Sequence, residues 1–189
     1  MIPAFDKSGF LPPFLDNALS TERRSPYPTT IFEMADRFGS TRPRRALLRG
    51  LLNYRRHLRE FGMRDGLQWI DGSFVEDSES KRGRPPFDID IVTFTPFTTV
   101  RSTTMQAIEA IRSNTQLFSR QSVLATYGCD AYIVDTAVSP DRIIRAASYW
   151  TNVFGHERVT GKWKGILQLE MNDGFDLKEY QEAIDGLAH

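Results

Sequence analysis

The chain has little cysteine, little histidine and no long hydrophobic run, and each shortage excludes a class of protein. Its one cysteine, Cys129, excludes an internal disulfide framework and a cysteine-based zinc cluster. Its 3 histidines show no zinc-binding spacing. No segment approaches the roughly 20 apolar residues of a membrane-spanning helix, and the opening MIPAFDKSGF lacks the pattern of a secretory signal. These absences predict a protein of the reducing cytoplasm with no membrane segment.

The chain also lacks net charge, because 24 Lys and Arg residues balance 24 Asp and Glu residues. Only local clusters of charge can therefore indicate a nucleic-acid partner. Neither a P-loop nor a Ser-His-Asp arrangement is present. With 189 residues, of which 40% are hydrophobic and 25% charged, the composition is that of one globular domain with one core.

The first 28 residues differ from the rest in being rich in proline and apolar side chains. The prolines are Pro3, Pro12, Pro13, Pro26 and Pro28, and the apolar residues are Phe5, Phe10, Phe14 and Leu15. This composition predicts an ordered arm that packs on a domain formed by residues 29–189, because a free tail would be poor in apolar residues.

Helical and strand patterns alternate along residues 29–189. The strongest helix is STRPRRALLRGLLNYRRHLREFG, in which Leu47, Leu51, Tyr54 and Leu58 form an apolar stripe. The segment TTIFEMADRFG has the spacing of a capped short helix. The segments LQWIDGSF, DIDIVTF, CDAYIVDT and KGILQLEM are strand-like, and helical patterns separate several of them. The order predicts an α+β fold with a mixed β-sheet flanked by helices.

Two aspartates, Asp88 and Asp90, stand one residue apart at the start of an apolar strand. Side chains alternate along a strand, so both carboxylates point to the same face. They repel each other unless a cation lies nearby, and Mg²⁺ or Mn²⁺ is the usual cation beside paired carboxylates. Taken alone, the pattern also fits a strand whose first aspartate caps a loop while the second is exposed.

The Gly72-Ser73 pair ends the preceding strand. Glycine lets the backbone approach a phosphate, and adjacent N–H groups with a hydroxyl can bind an anion. By itself the pair equally indicates an ordinary turn. The order of an apolar strand, Gly-Ser, a polar loop and then Asp-x-Asp favours a phosphate site beside a metal site.

In the residues WIDGSF and DIDIV the sequence resembles the nucleotidyltransferase superfamily, which includes DNA polymerase β and small toxin- and antitoxin-type enzymes. The resemblance covers residues 67–135, and the spacer from Phe74 to Phe87, between Gly-Ser and Asp-x-Asp, has 14 residues and is slightly longer than usual. It implies a polymerase β-like fold and a third carboxylate on a later strand, for which Asp130 and Asp135 are the candidates. The whole chain is similar to a stand-alone prokaryotic group associated with phage-defence or toxin–antitoxin settings.

The resemblance implies that Asp88, Asp90 and Asp130 bind the metal ion and that Gly72 and Ser73 hold the phosphates of a nucleoside triphosphate. The enzyme would move a nucleoside monophosphate to an acceptor, which can be RNA, a protein, a small molecule or a second nucleotide. The alternative is a protein that keeps the fold without catalysis and binds a protein complex or nucleic acid.

Three basic segments can serve such a site or can be ordinary surface. Lys81, Arg82 and Arg84 can neutralise a triphosphate or belong to a solvated loop. The arginines of residues 42–64 can bind nucleic acid or an acidic partner protein, or form the exposed face of an amphipathic helix. The segment FGHERVTGKWKGI can stack a base or form a loop-to-strand junction; its polar and aromatic residues are His156, Arg158, Lys162, Trp163 and Lys164.

Overall fold

The structure, a computed structural model, describes residues 1–19, 21–97, 103–172, 174 and 177–186. Its strands are β1 (Tyr27–Pro28), β2 (Leu67–Asp71), β3 (Ile89–Thr95), β4 (Cys129–Asp135) and β5 (Leu167–Glu170). Its helices are α1 (Ile31–Phe38), α2 (Arg42–Phe61), α3 (Ser78–Arg82), α4 (Thr104–Ser113), α5 (Thr115–Phe118), α6 (Arg120–Tyr127), α7 (Pro140–Phe154) and α8 (Leu177–Gly186). A short 3-10 helix spans Ser73–Val75.

The five strands form one open sheet in the order β1-β5-β2-β3-β4. Strand β2 is antiparallel to β3 and to β5, whereas β3 is parallel to β4 and β1 is parallel to β5. The mixed sheet flanked by helices confirms the predicted α+β class.

Local sequence signals determine where the first two helices begin and end. Thr30 and Glu33 form the reciprocal capping box that begins α1. Pro43 lies in the first turn of α2, and Gly62 ends that helix with a left-handed φ of 118°. The predicted stripe of Leu47, Leu51, Tyr54 and Leu58 is buried along α2. These helices are therefore held to the sheet by the apolar face that their spacing predicts.

Helices cover both faces of the sheet, which explains why β3 is buried along its whole length. Ile89 and Ile91 face the larger core, to which α1, α2 and α8 contribute. Val92 and Phe94 face a smaller cluster with Trp150 and Phe154 of α7. By the alternation of side chains along a strand, Asp90 lies on the face that α7 covers.

The proline-rich arm packs on the domain and enters its sheet. Phe10 and Leu11 are buried, and the Leu11 carbonyl accepts a hydrogen bond from Gly165 N–H. Tyr27 pairs with Leu167, so residues 27–28 form an edge strand that the sequence pattern had assigned to the arm. Within the described residues, no helix is both long and apolar enough to cross a membrane.

Candidate functional site

Three aspartates lie side by side on adjacent strands at one end of the sheet. Asp71 of β2 pairs with Asp90 of β3, and Asp90 pairs with Asp130 of β4. Asp135 lies at the other end of β4 and accepts hydrogen bonds from the N–H groups of Phe97 and Ala137. Of the two candidates for a third carboxylate, the structure thus places Asp130 beside Asp90 and uses Asp135 as a loop cap.

Asp88 and Asp90 lie in surroundings that disfavour their negative charge. Asp90 is 9% exposed, and burial raises its pKa to about 6, with the charge of Asp88 adding to the shift and Arg158 opposing it. Burial and the charge of Asp130 raise the pKa of Asp88. Arg158 Nη2 lies 3.6 Å from Asp90 Oδ1, which is too long for a strong ion pair. Both carboxylates would therefore gain from a nearby cation.

Gly72 passes directly over Asp90. A Cβ atom at this position would lie 1.9 Å from Asp90 Oδ2, and the Gly72 φ of +84° is one that other residues rarely adopt. The next residue, Ser73, begins the 3-10 helix, and its carbonyl accepts a 2.6 Å hydrogen bond from Ser78 Oγ. One member of the predicted phosphate-binding pair, Gly72, thus lies against one member of the predicted metal-binding pair, Asp90.

A buried lysine joins the end of β2 to the loop that follows it. Lys164 Nζ lies 3.0 Å from Asp71 Oδ1 and 2.9 Å from Glu76 Oε1. Burial alone would lower the pKa of Lys164, but the two carboxylates outweigh it and the pKa is raised. Burial raises the pKa of Asp71, and Lys164 opposes that shift. Arg82 pairs with the second oxygen of Glu76 at 2.7 Å.

These groups line a cavity of about 420 Å³. Its acidic side chains include Asp71, Glu76, Asp88 and Asp90, and its basic side chains are Arg82, Arg84, Arg158 and Lys164. Gly72 and Ser73 line the cavity as well. The structure thus brings together six of the predicted site residues: Gly72, Ser73, Arg82, Arg84, Asp88 and Asp90.

Two predicted residues have other partners. Arg120 binds both oxygens of Asp130, at 2.5 and 2.7 Å, and Asp130 does not line the cavity. Lys81 Nζ lies 3.2 Å from the centre of the Phe10 ring and lines a neighbouring cavity. The structure does not bring Lys81 to the aspartates, because its aliphatic stem and charge are used against the N-terminal arm.

Two arginines of the arginine helix are internal, although the charge of the helix indicated a surface. Arg44 and Arg55 are buried. Arg44 binds the Glu79 carboxylate at 2.8 Å and the carbonyls of Phe74 and Glu76 at 2.7 and 2.8 Å. Arg55 donates to Gln68 Oε1 and to the Glu170 carbonyl. Arg44 therefore holds the loop after Gly72-Ser73 in place.

The loop-to-strand segment contributes the opposite wall of the site. His156 and Arg158 line the cavity, and His156 Nδ1 lies 3.0 Å from the Asn152 carbonyl. The His156 ring packs edge-on against Trp163, which is exposed and lies outside this cavity. The segment is a loop-to-strand junction, and its charged residues Arg158 and Lys164 line the cavity, while base stacking by this segment stays a prediction.

A family model described as "Family of unknown function (DUF6932)" matches residues 3–170. The chain belongs to this family. The match to DUF6932 contains every site residue described above. No curated protein and no solved structure matches the chain.

Sequence reasoning missed two groups of this DUF6932 protein that the structure places at the site. Asp71 immediately precedes Gly72, and counting the β2–β3 hairpin in register would have placed it opposite Asp90. No local sequence pattern indicates that Arg120 binds Asp130, because this ion pair depends on where α6 begins relative to β4.

A divalent cation fits part of the predicted ligand set. Asp88 and Asp90 are crowded carboxylates with raised pKa values, whereas Asp71 Oδ1 already has the Lys164 ammonium 3.0 Å away. Among the described residues, no group of three His, Cys, Asp or Glu side chains stands ready to hold a metal ion. The donor set thus fits Mg²⁺ or Mn²⁺ on two carboxylates completed by phosphate oxygens, and Asp130 is engaged by Arg120.

Proposed function

We propose that this DUF6932 protein is a metal-dependent nucleotidyltransferase with a polymerase β-like core. The observation that supports it most is the contact of Gly72 with the buried Asp90 carboxylate in a cavity edged by basic side chains. Asp90 lies in β3 and Asp88 immediately precedes that strand, and both carry raised pKa values. A protein without a use for these paired acids would be more stable without them.

In this proposal Asp88 and Asp90 hold Mg²⁺ or Mn²⁺, and the substrate is a nucleoside triphosphate. The bound ion would supply positive charge to the carboxylates and the phosphate oxygens. Gly72 leaves room for the phosphates, and Ser73 binds them through its N–H group and hydroxyl. Arg82, Arg84 and Arg158 offset the remaining negative charge.

The protein's main contribution is to hold the triphosphate in one orientation while excluding water from the carboxylate floor. An acceptor oxygen attacks the α-phosphorus, the bond to pyrophosphate breaks, and the acceptor carries the nucleoside monophosphate. The acceptor is RNA, a protein hydroxyl, a small molecule or a second nucleotide. A phage-defence or toxin–antitoxin setting fits a small stand-alone enzyme of this kind.

One observation favours a second candidate function, which is nucleotide binding without transfer. Arg120 neutralises Asp130, the carboxylate that the resemblance assigns as the third metal ligand. If Arg120 stays there with substrate bound, the protein keeps the fold and the nucleotide site without catalysis. It would then act as a binding partner in a protein complex or on nucleic acid.

Calorimetric titration tests the proposal without knowledge of the acceptor. Each of the four nucleoside triphosphates is titrated with Mg²⁺ and with Mn²⁺ into the wild type and the Asp88→Asn/Asp90→Asn variant. The matched control is Asp36→Asn, which changes an exposed aspartate on α1. We expect metal-dependent binding in the wild type and the control and none in the double variant. Equal binding by all three proteins would refute the site.

A further inference from the structure

Two exposed apolar side chains stand at the edge of the charged cavity. Phe87 is 73% exposed and Val159 is 89% exposed, yet both line the same cavity as Asp88 and Asp90. A single exposed apolar side chain is ordinary surface, but an aromatic ring and an aliphatic side chain together at the rim of a charged cavity point to a ligand. A ligand with a planar apolar part and a charged part would contact both kinds of surface.

The local sequence holds Phe87 in place. Pro85 and Pro86 precede it, and consecutive prolines restrict the backbone on that side. Pro86 is buried, and on the other side Asp88 leads directly into β3. The segment therefore presents the ring beside the first carboxylate with little freedom to move away.

Arg84 completes the surface. Its guanidinium carbon lies 4.2 Å from the centre of the Phe87 ring, which is stacking distance. Arg84 also lines the cavity, so one side chain contacts both the ring and the space in which phosphates would lie. A stacked Arg-Phe pair binds a nucleobase through its face, and such stacking tolerates every base.

We infer that Phe87, supported by Arg84, is the base-stacking residue of the donor-nucleotide site, with Val159 contributing apolar contact. The inference rests on the proposed function, because it assumes a nucleotide whose phosphates lie over Gly72 and Ser73. A base contacted through its face is not read through its hydrogen-bonding edge. The site therefore accepts all four nucleoside triphosphates and binds the larger purines more tightly. An apolar side chain of a protein partner fits this edge less well, since the cavity beneath carries five acidic and four basic groups.

The experiment separates the base from the phosphates by comparing ATP with inorganic tripolyphosphate, each in Mn²⁺. Calorimetry is run on the wild type, Phe87→Ala, Phe87→Leu and Phe87→Trp. Tyr149→Ala is the matched control, because Tyr149 is a similarly exposed aromatic on α7 outside the cavity. We expect Phe87→Ala to weaken the affinity for ATP by about 5- to 150-fold, the usual range for the loss of one stacked base. The affinity of Phe87→Ala for tripolyphosphate should stay within about twofold of the wild-type value. Phe87→Trp should keep the wild-type affinity for ATP, and Phe87→Leu should lose most of it.

Each other result overturns the inference in a distinguishable way. If Phe87→Ala binds ATP as tightly as the wild type does, the base lies elsewhere, while the proposed donor site stands. Equal loss of ATP and tripolyphosphate would mean that Phe87 supports the loop and does not contact the base. If the wild type binds neither ligand, the proposed function fails and the inference fails with it.

Discussion

Replacing Asp90 by asparagine is expected to stabilise the metal-free protein at pH 7, although it removes a proposed metal ligand. Burial raises the pKa of Asp90 from 3.8 to about 6, so the ionised form is unfavourable in the folded state. A shift of roughly 2 units corresponds to about 3 kcal/mol at most. Because the asparagine amide must also find hydrogen-bond partners, we expect a gain of about 1–3 kcal/mol in the free energy of unfolding.

The effect has a defined pH dependence. A carboxylate with a raised folded pKa contributes its full stability below pH 3.8 and loses that stability as the pH rises through about 6. The stability difference between Asp90→Asn and the wild type should therefore be small near pH 4 and should reach its full size by pH 7.

Urea unfolding in a chelating buffer at several pH values between 4 and 8 measures this difference. The control is Asp36→Asn, for which we expect a change within about 0.5 kcal/mol at every pH. Added Mn²⁺ should raise the unfolding midpoint of the wild type and leave that of Asp90→Asn unchanged. A destabilised Asp90→Asn, or a difference that does not vary with pH, would refute the reasoning.

Three further variants test the parts of the site separately. Gly72→Ala should lose Mn²⁺ binding and about 2 kcal/mol or more in the free energy of unfolding, because its Cβ would meet Asp90 Oδ2 and its backbone conformation (φ 84°, ψ −168°) is one that only glycine adopts readily. Gly83→Ala has the milder left-handed penalty (φ 63°, ψ 17°) with open space around it and should lose about 1 kcal/mol. Denaturant unfolding and calorimetry compare the two, and equal losses would contradict the close approach. Lys164→Met leaves the buried Asp71 carboxylate without its cation and Glu76 with Arg82 alone, and should cost about 3–5 kcal/mol in urea unfolding, so a neutral result would contradict the ion-pair network. Arg120→Gln frees the buried Asp130 carboxylate and should tighten Mn²⁺ binding by a factor of about 2 to 5 in calorimetry, because the Arg120 side of the pair is exposed to solvent and the pair is only partly desolvated; weaker binding would show that Arg120 supports the site.

The features that sequence predicted well depend on neighbouring residues. The capping box at Thr30, the left-handed Gly62 and the apolar stripe of α2 follow from spacings of a few residues. The shared face of Asp88 and Asp90 follows from the alternation of a single strand. Each of these could be inferred without knowing which strands are neighbours.

The features that could not be predicted depend on pairing across the sheet. The choice between Asp130 and Asp135 needs the register of β4 against β3, which no local pattern supplies. Lys164 and Glu76 are 88 positions apart in the chain, and Arg55 binds a carbonyl 115 positions away. The sequence showed Arg44 and Arg55 as surface charge because the acceptors that permit their burial come from distant segments.

The transfer reaction itself is tested most directly by following the α-phosphate of a nucleoside triphosphate. The wild type and Asp88→Asn/Asp90→Asn are incubated with Mn²⁺, total cellular RNA and protein, and each triphosphate labelled at either the α- or the γ-phosphate. The account predicts that the α-label enters one acceptor class, that the γ-label is released as pyrophosphate, and that the double variant does neither. Metal-dependent nucleotide binding without any incorporation of α-label would contradict catalysis and would favour the binding protein in which Arg120 stays on Asp130.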